Sequence, residues 1–350
     1  MKTPSTVAEV ADIIRSSKRV LAVGAQTKPR LSQVPDEVTL ISMRNLSGIV
    51  EYDPGEFTFT AFAGTPLREI VATLAAQGQY LPFDPPLVES GATIGGTVAA
   101  GLSGPGRFRY GGLRDFILAV RFLDGNGTQL RGGAKVVKNA AGFDIPKFLV
   151  GSLGRFGVLT EVTFKVFPCP PAMMTFEIPC ANAAEAAAQI AKAASGRWEF
   201  DALDYDGARI LARLRGPQEA LDLLAADILN CWPTGKRADN VVWEGIREWR
   251  FVGADGLLVK IPVTLRKLPA LEAILQARNM GFHVVGGSAA YAYHPNVSYS
   301  DTLNEALVGI SLSGLNLRGF GGRLYFGESH HSAAAKSLKL AFDPCHRLGA

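Results

Sequence analysis

The spacing of apolar residues gives the chain two textures. Val7, Val10, Ala11 and Ile14 fall on one helical face, and Thr6 with Glu9 reads as a capping box at its start. Short β-rich runs follow at 19–23, 38–42 and 48–52, and residues 57–62 alternate apolar with polar or small at strand period. Residues 66–77 form a helix, with Pro66 at its start and Gly78 just past its end. From 82 to 112 the periodicity fades into glycine and proline. A strand resumes at 116–122 and turns at Asp124-Gly125-Asn126-Gly127, a hairpin signal. A short helix at 145–150 and a strand at 158–167 lead to Pro168, Pro170 and Pro171, which mark a boundary.

Beyond the boundary the pattern repeats. Residues 175–179 precede an alanine-rich helix, strands at 198–205 and 208–214, and a helix at 218–229. Residues 258–262 precede a helix at 268–280, strands at 282–286 and 289–293, and a helix at 303–312. Two passes of β-α-β-β-α predict an antiparallel sheet with helices on one side, a ferredoxin-like texture repeated twice. The expected organisation is α+β, with units at 1–170 and 171–350.

Composition narrows the function. A chain of 350 residues exceeds one ordinary core, and 47% apolar with 19% charged residues describes a globular protein. A net charge of +4 without a basic run excludes phosphate-tracking surfaces, so no nucleic acid partner is expected. Cys169, Cys180, Cys231 and Cys345 lack CxxC or cluster spacing, so this chain is expected to carry no iron–sulfur centre and no metal. No run is apolar enough to span a bilayer and none reads as a signal peptide. A cytoplasmic location follows as the expectation, with peripheral membrane association open through partners.

Of the 38 glycines 16 cluster between residues 91 and 157, in the first half, and glycine lets backbone approach a ligand closely. Gly24, Ala25, Gln26, Thr27 and Lys28 follow a strand and could aim several amides into one anion-binding concavity; an ordinary turn between strands reads the same way. Ser90-Gly91-Ala92-Thr93-Ile94-Gly95-Gly96-Thr97-Val98-Ala99-Ala100-Gly101-Leu102-Ser103-Gly104 combines small residues with hydroxyls, which suits an anion at a helix start. Such helices also pack tightly on sheets. Gly106 to Asp115 sets Arg107, Arg109, Tyr110 and Arg114 between glycines, either to fix a ligand or to pair with Asp115. Lys138-Asn139-Ala140-Ala141-Gly142-Phe143-Asp144 and Gly151-Ser152-Leu153-Gly154 offer backbone against which a flat ring can lie.

Five of these runs occur in order and at matching spacing: Ala92 to Ala99, Gly101 to Pro105, Tyr110 to Asp115, Val136 to Gly142 and Gly151 to Gly154. They resemble the FAD-binding domain of the vanillyl-alcohol-oxidase superfamily, and within it the E subunits of bacterial glycolate oxidases. Coverage runs from about residue 5 to 168, with a weaker match at 338–344. The resemblance implies a two-lobed FAD-binding domain followed by a cap that covers the flavin. Loop 24–28 and Thr93 to Gly96 would hold the pyrophosphate, Ser103 and Gly104 would lie along the ribityl or ring portion, and Gly154, Gly157 and Val158 would approach the adenine side. Ala92, Ile94, Ala99, Tyr110 and Lys138 belong to the same matched runs. Ala25 and Gln26 stand where that family has glycine, as does Ala119, and the family's Asn-Pro-Gly ending is missing. No histidine precedes His283, which excludes a histidyl–flavin bond from the first unit.

Oxidising a 2-hydroxy acid needs a base and a cation to hold the carboxylate. The candidate bases are His283, His294, His330 and His331; Arg318 and Arg323 are candidate anchors, and Tyr291 and Tyr293 candidate donors. Each has an equally good structural reading, and the His-Gly-Asp-Gly-Asn type of motif carried by catalytic D subunits is absent. The resemblance therefore implies an FAD-binding subunit working beside a catalytic flavoprotein subunit and an iron–sulfur subunit. Two alternatives remain: an autonomous dehydrogenase of 2-hydroxy acids or alcohols, and a flavin-free scaffold on a decayed flavoprotein fold.

Overall fold

A computed structural model describes residues 1–134, 143–253, 255–319, 323–328 and 333–349. The N-terminal half is built on a five-stranded antiparallel sheet, whose strands lie in the order Ile49–Asp53, Thr58–Phe62, Val158–Lys165, Ile117–Leu123, Gln129–Gly133. Alternation sends Phe59, Ala61, Val162, Phe164, Val120 and Phe122 into one core. There they meet Leu67, Ile70 and Leu74 of the helix Leu67–Ala75, and Ile94 and Val98 of the helix Ile94–Ala100. Beside this sheet the strands Val20–Val23 and Thr39–Ser42 pair in parallel, and the helix Val7–Ser16 packs over them through Val10 and Ile14.

The second half forms a nine-stranded antiparallel sheet. The two repeated passes are visible as Ala172–Pro179, Ala183–Ser195, Ala202–Tyr205, Arg209–Gly216, Gln218–Cys231 and as Leu257–Pro262, Leu268–Gln276, Gly281–Val285, Ala289–His294, Ser300–Gly309. They join edge to edge where Tyr205 pairs with Val284. The mixed α+β architecture is the one the sequence predicts.

Several bounds differ for local reasons. The strand expected from 198 begins at Ala202, because Trp198 and Phe200 turn aside onto Trp232. The helix expected to reach 280 ends at Gln276, since Asn279 takes a positive φ of 51° and reverses the chain. The last predicted helix lies three residues earlier, at Ser300–Gly309, because Ser311 (φ 51°) starts the turn into the strand Ser313–Arg318.

The C-terminal segment, grouped by sequence with the second unit, packs on the first half. Phe342 meets Phe122 edge-on at 5.8 Å, and Gly125 N donates to Phe342 O. Asp343, fully buried, accepts from Arg347 N at 2.8 Å, Leu348 N at 2.9 Å and Lys339 Nζ at 2.5 Å. The chain end then runs beside Val20, which donates to Arg347 O. The Asp124 hairpin turn is thus also a docking point, where a Cβ on Gly125 would sit 2.1 Å from Asp343 Oδ1.

The halves share one core. Leu258, Val285, Ala289, Tyr291 and Leu317 from the nine-stranded sheet pack with the first half's aromatics. Among the described residues no helix is long and apolar enough to cross a membrane.

Candidate functional site

The strand Val20–Val23 ends in loop 24–28, and the loop's backbone amides are free of protein acceptors. Among the described residues, none of the five N–H groups donates a hydrogen bond. Gln26 is exposed and holds a left-handed φ of 53°, so its backbone adopts a glycine-like turn. Successive amides turned this way form an anion nest. Gly24 has no alternative: a Cβ there would lie 2.1 Å from Thr93 Oγ1.

Lys28 supplies the loop's charge. It is 8% exposed, and its Nζ donates to Thr27 Oγ1 at 3.1 Å with no carboxylate partner among the described residues. Burial pushes its pKa down to about 8. An anion in the loop would restore the missing counter-charge.

Opposite stands the start of the helix Ile94–Ala100. Ile94 N donates to Thr65 O and Gly95 N to Ala63 O, so two first-turn amides are already spent. Gly96 N makes only a long bond of 3.3 Å to Thr93 Oγ1, its N-cap. The expectation that Thr93 to Gly96 cradle the pyrophosphate narrows to Gly96 and the Thr93 hydroxyl. Gly95 is required by packing instead, because a Cβ would come within 2.7 Å of Ala63.

Small cavities follow this track. One of about 60 Å³ lies among Gly24, Ala25, Gln26, Thr27, Lys28, Thr93, Gly96 and Ala99. A second, of about 40 Å³, continues past Gly95, Gly154, Gly157 and Val158. A third, of about 150 Å³, opens at the other end of the helix between Gly101, Ser103, Arg107, Lys260 and Ser288. Ligand sites usually occupy on the order of 300–1,000 Å³, so an extended dinucleotide fits only if the walls between these cavities part. The donor set suits a pyrophosphate: free amides, a hydroxyl and a buried lysine with no carboxylate partner among the described residues.

Other residues of the matched runs serve packing. Ala92 and Ile94 are buried in the core, and Ala92 O accepts from Leu67 N. A Cβ on Gly104 would clash with Asp84 O at 2.1 Å, and one on Gly157 with the Phe122 ring at 2.4 Å. Tyr110 stacks edge-on against Phe167. Gly154 needs its freedom for a φ of 74°. Ser103 lines the third cavity and accepts from Leu113 N at 2.8 Å. Lys138 lies outside the described residues, as does His330.

The catalytic candidates do not converge. His294 ends a strand whose Ala289 lines the third cavity; five residues at about 3.4 Å each put it roughly 17 Å away. Its Nδ1 accepts from Asn296 N at 3.0 Å. His283 is buried against Asp204, Nε2 to Oδ2 3.0 Å, with Phe251 stacked on its ring. Arg323 is an exposed side chain pairing with Asp301, and Arg318 donates to Gly253 O. The cations that reach the third cavity, among the described residues, are Arg107, Arg114 and Lys260. Arg107 lies in a stretch the sequence singles out, whereas Lys260 is announced only by being a lone charge in the apolar run 257–262.

Comparison with known proteins follows this geometry. Residues 1–133 match the family model described as an FAD binding domain. The fold is similar to that of alkyldihydroxyacetonephosphate synthase, with a TM-score of 0.71 over 98% of this chain and 74% of that one, at 16% identity. The chain is therefore a flavoprotein fold of the vanillyl-alcohol-oxidase type, and its cofactor is FAD. It is 35% identical to glycolate oxidase subunit GlcE of Escherichia coli K12 over 260 residues, 72% of this chain and 71% of that protein. The chain belongs to the GlcE family of glycolate oxidase subunits. More distant matches cover less: glycolate oxidase subunit GlcD of Bacillus subtilis is 30% identical over 40% of this chain, and a D-lactate dehydrogenase of Anaerostipes hadrus 32% over 41%, each over only 30% of the relative's length.

Proposed function

We propose that this chain is the FAD-binding subunit of a glycolate-oxidase-like dehydrogenase complex, working in the cytoplasm beside a catalytic flavoprotein subunit and an iron–sulfur subunit. The observation that carries the reading is the row of unpaired amides at 24–28 with Lys28 beside it, in a chain of the GlcE family. In this reading the FAD-binding unit is 1–170 joined by the C-terminal segment 333–349, and the nine-stranded sheet covers it.

The residues divide the work. Loop amides and Lys28 would neutralise the pyrophosphate, Gly24 would let it approach, and the Thr93 hydroxyl and Gly96 amide would close the opposite wall. Gly154 and Val158 would border the adenine side, and Ser103 the ring end. When bound, FAD supplies the ability to accept and pass on electrons. The protein's part is to hold it non-covalently and to limit water at the ring end.

The test is reconstitution. Purified alone, the chain should carry FAD and show little glycolate-dependent dye reduction; adding the catalytic and iron–sulfur subunits should bring full turnover. Robust turnover by the isolated chain would overturn the accessory role and favour an autonomous dehydrogenase.

A further inference from the structure

A pocket of about 570 Å³ lies between the halves and shares no wall residue with the three cavities of the cofactor track. Its volume falls in the range of ~300–1,000 Å³ usual for ligand sites. The first half supplies Val71 and Ala75, from the exposed face of the helix Leu67–Ala75, and much of the segment from Gly78 to Glu89. The second half supplies Met173 at the head of the strand Ala172–Pro179, then Arg215, and Arg247 with Glu248 at the end of the helix Val242–Arg247. Between them run Cys169, Pro170 and Pro171. Proline has no N–H, so that stretch adds no backbone donor to a lining that is mostly apolar.

The acids of the wall are engaged or solvated. Asp84 accepts from Gly106 N at 2.9 Å and pairs with Arg213 and Arg215. Glu248 accepts from Ser90 Oγ at 2.8 Å and from the amides of Glu89 and Ser90, both at 3.0 Å. Glu244 pairs with Arg250, and Glu89 is exposed to solvent. Arg247 is different. It is partly buried, and among the described residues its guanidinium makes no hydrogen bond or ion pair. Its charge helps keep Asp84 ionised, but that carboxylate is already taken by the other two arginines.

A guanidinium with its N–H donors unused is completed best by a carboxylate, which it can hold through two parallel bonds. The ligand should carry one negative charge only, because Asp84, Glu244 and Glu248 line the same pocket and would repel a second. About 570 Å³ is roughly nineteen water volumes at ~30 Å³ each, ample for an apolar body of about ten carbons.

We propose that this pocket binds a hydrophobic monocarboxylate, its apolar body against Val71, Leu81, Val88 and Met173 and its carboxylate on Arg247. The site is read from the pocket alone and stands apart from the cofactor reading. Such a ligand touches both halves at once.

Decanoate, kept below its micellar range, is the probe. Cys169 lines the pocket and is exposed, so its alkylation by iodoacetamide reports occupancy, with the exposed Cys345 as internal control. In the full chain with FAD present, saturating decanoate should slow Cys169 alkylation about tenfold or more and leave Cys345 unchanged. Propionate, which lacks the apolar body, and decanamide, which lacks the charge, should each bind at least about tenfold more weakly. Arg247→Gln should weaken decanoate about tenfold, while Arg247→Lys should keep most of the affinity, with flavin content unchanged in both. Val71→Glu, at an exposed helix position, should weaken it too while leaving the fold intact. Equal slowing of both cysteines, or no slowing of either, would overturn the site. So would full affinity in Arg247→Gln, or release of FAD by decanoate, because the pocket would then not be separate. Slowing of Cys169 only by added catalytic and iron–sulfur subunits would overturn it as well and make this face a protein interface.

Discussion

Two charged clusters cross the boundary between the halves, and they are completed differently. In the first, Asp84 from the N-terminal half meets Arg213 and Arg215 of the strand Arg209–Gly216, with Asp201 alongside. Arg213 is fully buried, places Nε 2.7 Å from Asp201 Oδ1, and lies over the Trp243 ring at 4.7 Å. Burial alone would raise the Asp84 pKa, but Arg213, Arg215 and Arg247 hold it down at about 2. Asp84 and Asp201 each contact both Arg213 and Arg215. In the second cluster Arg107, Arg114 and Lys260 line one cavity, and no acid lines it among the described residues. Buried charge is costly unless matched; at the first cluster the chain matches it internally and the pairs join the halves, whereas at the second the described residues supply no acid.

Breaking the closed cluster should have the largest effect. Asp84→Asn leaves the buried Arg213 and the partly buried Arg215 short of an anion and should cost about 3–5 kcal/mol in denaturant unfolding. A loss below about 1 kcal/mol would mean that the cluster joins nothing. Gly24→Val tests the other kind of site. Its side chain must push Thr93 away from the loop, so FAD affinity should fall a hundredfold or so, about 2.7 kcal/mol, while the unfolding midpoint moves less than in Asp84→Asn.

The closed cluster also sets a pH response. Asp84 has a folded pKa of about 2 against an ordinary 3.8. Its contribution, about 2 kcal/mol by linkage, is present above pH 4 or so and should disappear as pH falls through about 2. Stability of Asp84→Asn should lack that part of the acid slope.

The smallest effect should come from Lys28→Met. Without its one charge-assisted hydrogen bond to the pyrophosphate, FAD should bind about tenfold more weakly. A bound anion raises the depressed Lys28 pKa, so wild-type affinity should be level at neutral pH and decline as pH rises through about 8. The variant should lose that decline. If it keeps the decline, Lys28 does not face the pyrophosphate.

Strong periodicity made most of the architecture legible in the sequence. The helix 218–231 and both passes of the second half carry repeated apolar patterns, and Pro168 to Pro171 marks the point where one sheet gives way to the other. The strand 313–318 and the C-terminal helix were not legible, because their burial depends on partners far away in sequence, such as Phe122 for Phe342.

At the site, parity decided what sequence could reveal. In the strand 257–262, Val259 and Ile261 face the sheet's own helices while Leu258 packs toward the first half, so Lys260 falls on Leu258's face. In the strand 289–294, Tyr291 and Tyr293 take that boundary face, and His294 shares parity with Ala290 and Ala292 on the other. Either face was open from the sequence, so His294 and Lys260 were indistinguishable until the halves were seen together. Of the two departures from glycine in the loop, the exposed Gln26 takes the left-handed turn itself.

The most direct test is the visible absorption spectrum of the purified chain, with the chromophore released by denaturation and identified. The account predicts a flavin spectrum and FAD at close to one per chain. A colourless protein that gains neither colour nor thermal stability in excess FAD would contradict it, since a ligand that binds only the native state must raise stability.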